Sequence, residues 1–263
     1  MNKSFNWKIF FIVWIAAVIG VIAIIPYSLT LQGGTLQDLD LPIPLPVLLT
    51  IQIAQNAVMF GILTALGLLF ANRIGLGLPI LEARLNGETN ADRVRAILPL
   101  SIIIGVVASL LIIGLEAVIF QPALARELGD SVNPLNLQTA QPPAWQGFLA
   151  SFYGGISEEV MLRLFVMSLL AWLGSFISKT AEGKPTSAVF WTANIIAAVL
   201  FGLGHLPATA NLIPLTPLVI TRAIVLNGLA GVAFGWLYWK RGLESAIVAH
   251  FSADIVLHVL LAL

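Results

Sequence analysis

Seven apolar runs, near residues 9–27, 47–71, 97–120, 146–178, 188–205, 217–239 and 245–262, alternate with polar connections along the chain. A helix needs about 20 apolar residues to cross roughly 30 Å of hydrocarbon, so each run predicts a transmembrane helix. The fourth run is too long for one straight crossing, and Gly154-Gly155 predicts a break between a short leading segment and the span proper. That break leaves room for an eighth element. The stretch 121–144, with Pro122, Pro134, Pro142 and Pro143, predicts a loop of the length of a cap or spacer. The stretch 72–95 is polar enough for the membrane surface, and its G-L-G-L-P-I-L-E-A-R-L portion is placed in the interface. No internal repeat is visible, which argues against an inverted-repeat transporter. The expected fold is all-α: a polytopic transmembrane helix bundle with about seven or eight spans.

Composition agrees with this pattern. Residues are 59% hydrophobic and 10% charged, with a mean hydropathy of +0.96, whereas soluble domains carry about 25% charged residues. Formal net charge is zero and no Lys/Arg-rich block exists, so no nucleic-acid partner is expected; the expected partners are membrane lipid and what enters from it. The absence of cysteine rules out disulfides, thiolate metal sites and cysteine nucleophiles. The first run follows Lys3 and Lys8 as a signal peptide would, but it is long and lacks a clear small-x-small site, and it is expected to be retained. Lys3, Lys8, Arg73, Arg84, Arg93, Arg95, Lys179, Lys184, Lys240 and Arg241 fall on alternate sides of the runs, and only Arg126 lies in an opposite loop. A cytoplasmic N-terminus is expected.

The ionisable residues within or at the ends of the runs are Glu116, Glu158, Glu159, Arg163, Arg222, His205, His250, Asp254 and His258. Each costs a few kcal/mol at bilayer depth, so each needs a partner or a wet cavity. Residues four apart share a helix face, so Glu159 is expected to pair with Arg163 and His250 with Asp254. One arginine neutralises one glutamate. Glu158 is left without its own cation, which makes it the candidate general acid or base. His205 ends an apolar helix between Gly202, Gly204 and Pro207. Read singly, each cluster has a structural explanation: a helix-orienting ion pair, an interfacial histidine, an aspartate holding a tautomer. Together they supply a base, proton-transfer groups and oxyanion or metal partners.

In order, these residues are Glu158-Glu159-Val160-Met161-Leu162-Arg163, Phe201-Gly202-Leu203-Gly204-His205 and His250-Phe251-Ser252-Ala253-Asp254. The ordered set E-E-x-x-x-R, F-x-x-x-H and H-x-x-x-D resembles the CPBP intramembrane proteases, which include type II CAAX prenyl endopeptidases (CAAX prenyl protease 2) and bacterial Abi or bacteriocin-immunity proteins. The resemblance covers roughly residues 145–262. It implies a catalytic helical core at 145–263, made of the last four helices, preceded by accessory helices and loops at 1–144, in a multi-pass protein of a bacterial cell membrane. It implies hydrolysis of a peptide bond in a peptide or protein substrate, prenylated or membrane-embedded. Glu158 would activate water with help from His205, His250 and Asp254 would serve the oxyanion or the site, and Glu159 and Arg163 would hold the acidic pair. Asp254 departs from the commoner Asn, since an ionised Asp donates no hydrogen bond.

No cofactor is expected to be required. Glu158, His205, His250 and Asp254 also make a zinc set, the alternative, but the chain lacks H-E-x-x-H and Glu158 would have to be both ligand and base. The rival functions are a transporter with a proton relay and a catalytically silent immunity or scaffold protein. His258 is expected to pack, Arg222 to snorkel to the interface and Glu116 to be interfacial. Trp145, Trp236, Tyr238 and Trp239 are expected in the aromatic belt. One conflict stands: with straight crossings His205 lies near the outer end of its helix and His250 about two turns from the inner end of its own. Tilted helices or a connection shaped by Pro207, Pro214 and Pro217 would have to bring them level.

Overall fold

In hydrocarbon every backbone N–H must be paired inside its own segment or in a closed barrel. The computed structural model, which describes residues 5–32, 43–129 and 142–263, meets this with helices alone; no strand forms among the described residues. In chain order they are α1 (Trp7–Leu31), α2 (Leu45–Ile74), the short α3 (Pro79–Leu85), α4 (Ala91–Leu128), α5 (144–174), α6 (Ser187–Ala210), α7 (Pro217–Arg241) and α8 (Leu243–Ala262). Among the described residues six, α1, α2, α4, α6, α7 and α8, are long and apolar enough to cross a membrane. α5 corresponds to the fourth predicted run and carries Glu158, Glu159 and Arg163 in its middle. The protein is a polytopic all-α bundle.

Two expectations fail here. Gly154-Gly155 does not break the fourth run: α5 stays helical and widens into π-helix at Tyr153–Glu158 and Val160–Met167. Its glycines serve close approach instead, since a Cβ at Gly155 would lie 3.0 Å from Phe251 Cβ. Nor is 121–144 a loop throughout, because Gln121–Leu128 continues α4. A π-turn at Glu116–Phe120 precedes Pro122, and such a widened turn accommodates a ring and a missing N–H that a regular helix does not. The rest of that predicted loop, at 130–141, lies outside the described residues.

Lipid tails are as apolar as leucine, so helices must hold one another by close packing and hydrogen bonds. The α4–α8 seam does this with small residues one turn apart. Ser101 Oγ lies 2.7 Å from Ser245 Oγ, Gly105 lies against the Ala249 carbonyl, and Ser109 Oγ donates to the Ala253 carbonyl at 3.2 Å. α6 and α7 meet likewise, Gly231 against Ala198 and Gly235 against Asn194, whose Nδ2 donates to the Val232 carbonyl at 2.9 Å. α5 packs among α1, α2, α6 and α8. Ser157 Oγ donates to the Ala17 carbonyl at 2.8 Å, and Gly67 of α2 lies against Leu164.

α7 and α8 are joined through the single residue Gly242, at φ 97°, a conformation that favours glycine. Glu244, one residue into α8, accepts from the N–H groups of Ile80 and Leu81 at 3.0 and 2.9 Å and so caps α3. One side chain assigned to the surface lies elsewhere. Tyr238 is wholly buried, with its hydroxyl 2.7 Å from Ser168 Oγ, because it sits on the α5-facing side of α7. Arg222 and Glu116, both expected near the interface, are partners: Arg222 Nε donates to Glu116 Oε2 at 2.7 Å, an α4–α7 ion pair in which both side chains are 31% exposed.

Candidate active site

α5 places its two glutamates in different surroundings. The Glu159 side chain is completely buried, and Oε1 lies 3.3 Å from Arg163 Nη1, one helical turn on. Arg163, 1% exposed, donates through Nη2 to the Gly231 carbonyl of α7 at 3.0 Å. Its guanidinium sits between the rings of Phe201 and Phe234, 5.2 and 5.8 Å from their centroids. A buried cation over two aromatic faces gains a further 0.5–2 kcal/mol or so from each. Glu158, by contrast, is 16% exposed and faces a cavity.

Glu159 has a second partner that helix spacing did not disclose. His250 Nδ1 lies 2.8 Å from the same Oε1. A carboxylate accepts and does not donate, so the proton of this bond belongs to Nδ1. The other ring nitrogen, Nε2, then faces Asp254 Oδ1 at 3.6 Å and Glu158 Oε2 at 3.7 Å, separations that suit a bridging water better than a direct bond. Phe234 stacks on the His250 ring at 4.8 Å.

His205 reaches the same space from α6. Its Nδ1 lies 2.8 Å from the Phe201 carbonyl one turn earlier. A carbonyl only accepts, which leaves Nε2 without a proton in the neutral ring and turned toward the cavity. This bond also draws the imidazole back from the helix end toward its middle, the direction in which helical side chains lean. The Phe201 ring is edge-on to both histidines, 4.8 Å from His205 and 5.5 Å from His250. The conflict in depth expected from straight crossings is thereby resolved: the two rings flank one phenylalanine.

Glu158, His205, His250, Asp254 and His258 line one cavity of about 470 Å³. Arg163 and Glu159 lie behind its wall. Part of the remaining wall comes from side chains with no place in the ordered motifs, among them Tyr27 of α1, Tyr153 of α5 and Asn227 and Phe234 of α7. Tyr27 Oη is 3.2 Å from His258 Nδ1, so the N-terminal half of the chain closes the cavity. The only sequence signal for Phe234 was its place between Gly231 and Gly235; for Tyr27 there was none. Gly154 is a further unflagged contributor. A Cβ there would strike the Asp254 carboxylate and lie 3.2 Å from His250 Nε2, so only glycine lets α8 bring these groups against α5.

Chemically, the cavity gathers carboxylates and imidazoles from three helices around a space large enough for several waters or a peptide segment. Among the described residues no three His, Asp or Glu side chains converge as the ligands of one metal ion. No curated protein and no solved structure matches the chain. Residues 140–256 match the family model described as type II CAAX prenyl endopeptidase Rce1-like, a segment that contains Glu158, Glu159, Arg163, His205, His250 and Asp254. That family acts on peptides or proteins, and the chain is an integral multi-pass membrane protein whose residues 140–256 are similar to the CPBP-family intramembrane proteases.

Proposed function

We propose that the protein hydrolyses a peptide bond inside this cavity with a water activated by Glu158. The observation that carries the reading is the division of the acidic pair: Glu159 is buried and occupied by Arg163 and His250, while Glu158 faces the cavity within reach of His250 Nε2 and Asp254. Glu158 takes a proton from water as the oxygen attacks the substrate carbonyl carbon. The C–O bond forms, the carbonyl π pair moves onto oxygen, and the tetrahedral intermediate collapses with breakage of the C–N bond. The proton held by Glu158 passes to the leaving amine.

His205 Nε2 accepts a hydrogen bond from the attacking water and orients it. His250 Nε2, when it carries a proton, faces the developing oxyanion, and Asp254 and Glu159 fix its ring from either side. Arg163 holds Glu159 and touches no reacting atom. In this reading 145–263 supplies the chemistry and 1–144 completes the cavity wall. Purified protein in liposomes, wild type against Glu158→Ala and His205→Ala, tests it with a peptide library read by mass spectrometry. Cleavage that disappears in both variants supports it. Proton flux that depends on Glu158 without any cleavage assigns the cavity to a proton relay instead.

A further inference from the structure

Resting on the reading that this cavity is the active site, we infer that the site opens to the non-cytoplasmic side of the membrane, and that its substrate is a peptide segment presented from that side. The first observation is where the mouth lies. Gln32, at the end of α1, and Asn211 and Leu212, just past α6, are exposed and line the cavity. Tyr27 and His258 lie toward the same end, near the last turns of α1 and α8. Asn227, Ala230 and Phe234 of α7 line the cavity down to its floor, with Phe234 about 25 Å along the helix from Pro217 at 1.5 Å per residue.

The second observation is the closed floor. Val160, Leu164, Met167, Leu237, Tyr238 and Leu243 are fully buried between the site and the other end of the bundle. Two further cavities at that other end share no lining residue with this one. Among the described residues the cavity is thus open at the mouth end and closed toward the other.

The third observation is charge, and it is independent of the cavity. α1 and α6 run toward the mouth, so the start of α1, the α2–α3–α4 connection, the α5–α6 connection and the α7–α8 turn lie at the opposite end. That end holds Lys8, Arg73, Arg84, Arg93, Arg95, Lys179, Lys184, Lys240 and Arg241. In the sequence, the segments that link α1 to α2, α4 to α5 and α6 to α7 contain Asp38, Asp40 and Asp130 and no lysine or arginine. Among the described residues the arginines at the mouth end are Arg126 and Arg222, and Arg222 is paired with Glu116 at 2.7 Å. Lysine and arginine within short connections are retained in the cytoplasm during insertion, so the basic end is cytoplasmic and the mouth faces away from it.

The substrate class follows. A cytoplasmic C-terminal tail would meet the basic end and its closed floor. A segment on the other side, exported or anchored in the outer leaflet, enters extended. From the start of α5 to Glu158 is about 21 Å at helical rise, a reach of roughly six extended residues.

The chain has no cysteine, so single cysteines report topology without background. Asn211→Cys at the mouth and Glu182→Cys in the α5–α6 connection are exposed to a membrane-impermeant maleimide on intact cells and again after permeabilisation. Labelling of Asn211→Cys in intact cells, with Glu182→Cys labelled only after permeabilisation, is expected. Labelling of Glu182→Cys in intact cells overturns the inference, whether alone or with Asn211→Cys. A second arm offers a membrane-impermeant peptide cleaved by the solubilised enzyme to sealed vesicles. Cleavage by right-side-out vesicles is expected, and cleavage confined to inverted ones overturns the assignment. The labelling result does not depend on activity, so a protein with the stated topology but no peptidase activity would sink the proposed function and leave the orientation intact.

Discussion

Glu159 Oε1 lies 2.8 Å from His250 Nδ1 although the two residues are 91 positions apart, and the same oxygen lies 3.3 Å from Arg163 Nη1. One buried carboxylate therefore ties α5 to α8, and through Arg163 to the Gly231 carbonyl of α7. The bond to Nδ1 also aims Nε2 at the cavity. The costly charge inside the bundle is thus used to position the imidazole, and the neighbouring Glu158 is left to face the cavity.

This division predicts unequal stability effects for two adjacent substitutions. Glu159→Gln leaves Arg163 buried without a counter-charge, and breaking a buried pair in this way costs about 3–5 kcal/mol. Glu158→Gln removes a partly exposed charge that lies 3.7 Å from His250 Nε2, and the fold should retain its wild-type Tm. Thermal unfolding in detergent reads both. Equal loss of Tm in the two variants would contradict the assignment.

Gly154→Ala should lower peptidase activity at least tenfold, because the new methyl meets the Asp254 carboxylate and His250 Nε2. Overpacking of this kind costs about 1–3 kcal/mol and displaces the groups involved. Gly114→Ala on α4, where nothing lies within 4 Å of the added carbon, is the comparison and should keep full activity. Activity of Gly154→Ala equal to that of Gly114→Ala would show that the contact with α8 does not shape the site.

At the α4–α8 seam, Ser101→Ala removes the hydrogen bond to Ser245 and should cost about 0.6 kcal/mol, the average for hydrogen bonds between membrane helices. Gly105→Leu drives a side chain into the Ala249 backbone and should lower Tm far more. Equal Tm values for the two variants would mean that small-residue packing does not hold α8 in place.

Metal dependence separates the two chemistries that the residue types allow. Dialysis against a strong chelator should leave cleavage unchanged if Glu158 acts on free water. Loss of activity that added zinc restores would assign the carboxylates and histidines to a metal instead.

Contacts within one helix were the legible part of the site. Glu159 with Arg163 and His250 with Asp254 follow from four-residue spacing. Contacts between helices were not: no pattern along the chain announces that Glu159 meets His250, that Phe234 stacks on that ring, or that Tyr27 reaches His258. The apolar runs placed α2, α7 and α8 within a few residues because hydrocarbon thickness sets their length, but ended α4 well short of Leu128. Local chemistry misled where tertiary packing outweighed it. Gly154-Gly155 suggested a break but admits α8, Pro122 suggested a loop but follows a π-turn, and Tyr238 suggested an interface anchor but bonds Ser168 in the core.

Cleavage by Glu158→Gln in proteoliposomes, beside wild type and at equal folded protein, is the most direct test of the central claim. Removing a general base costs about 10²–10⁴ in rate, so a loss of that size with unchanged Tm is the expected result. Wild-type cleavage by Glu158→Gln would contradict the account.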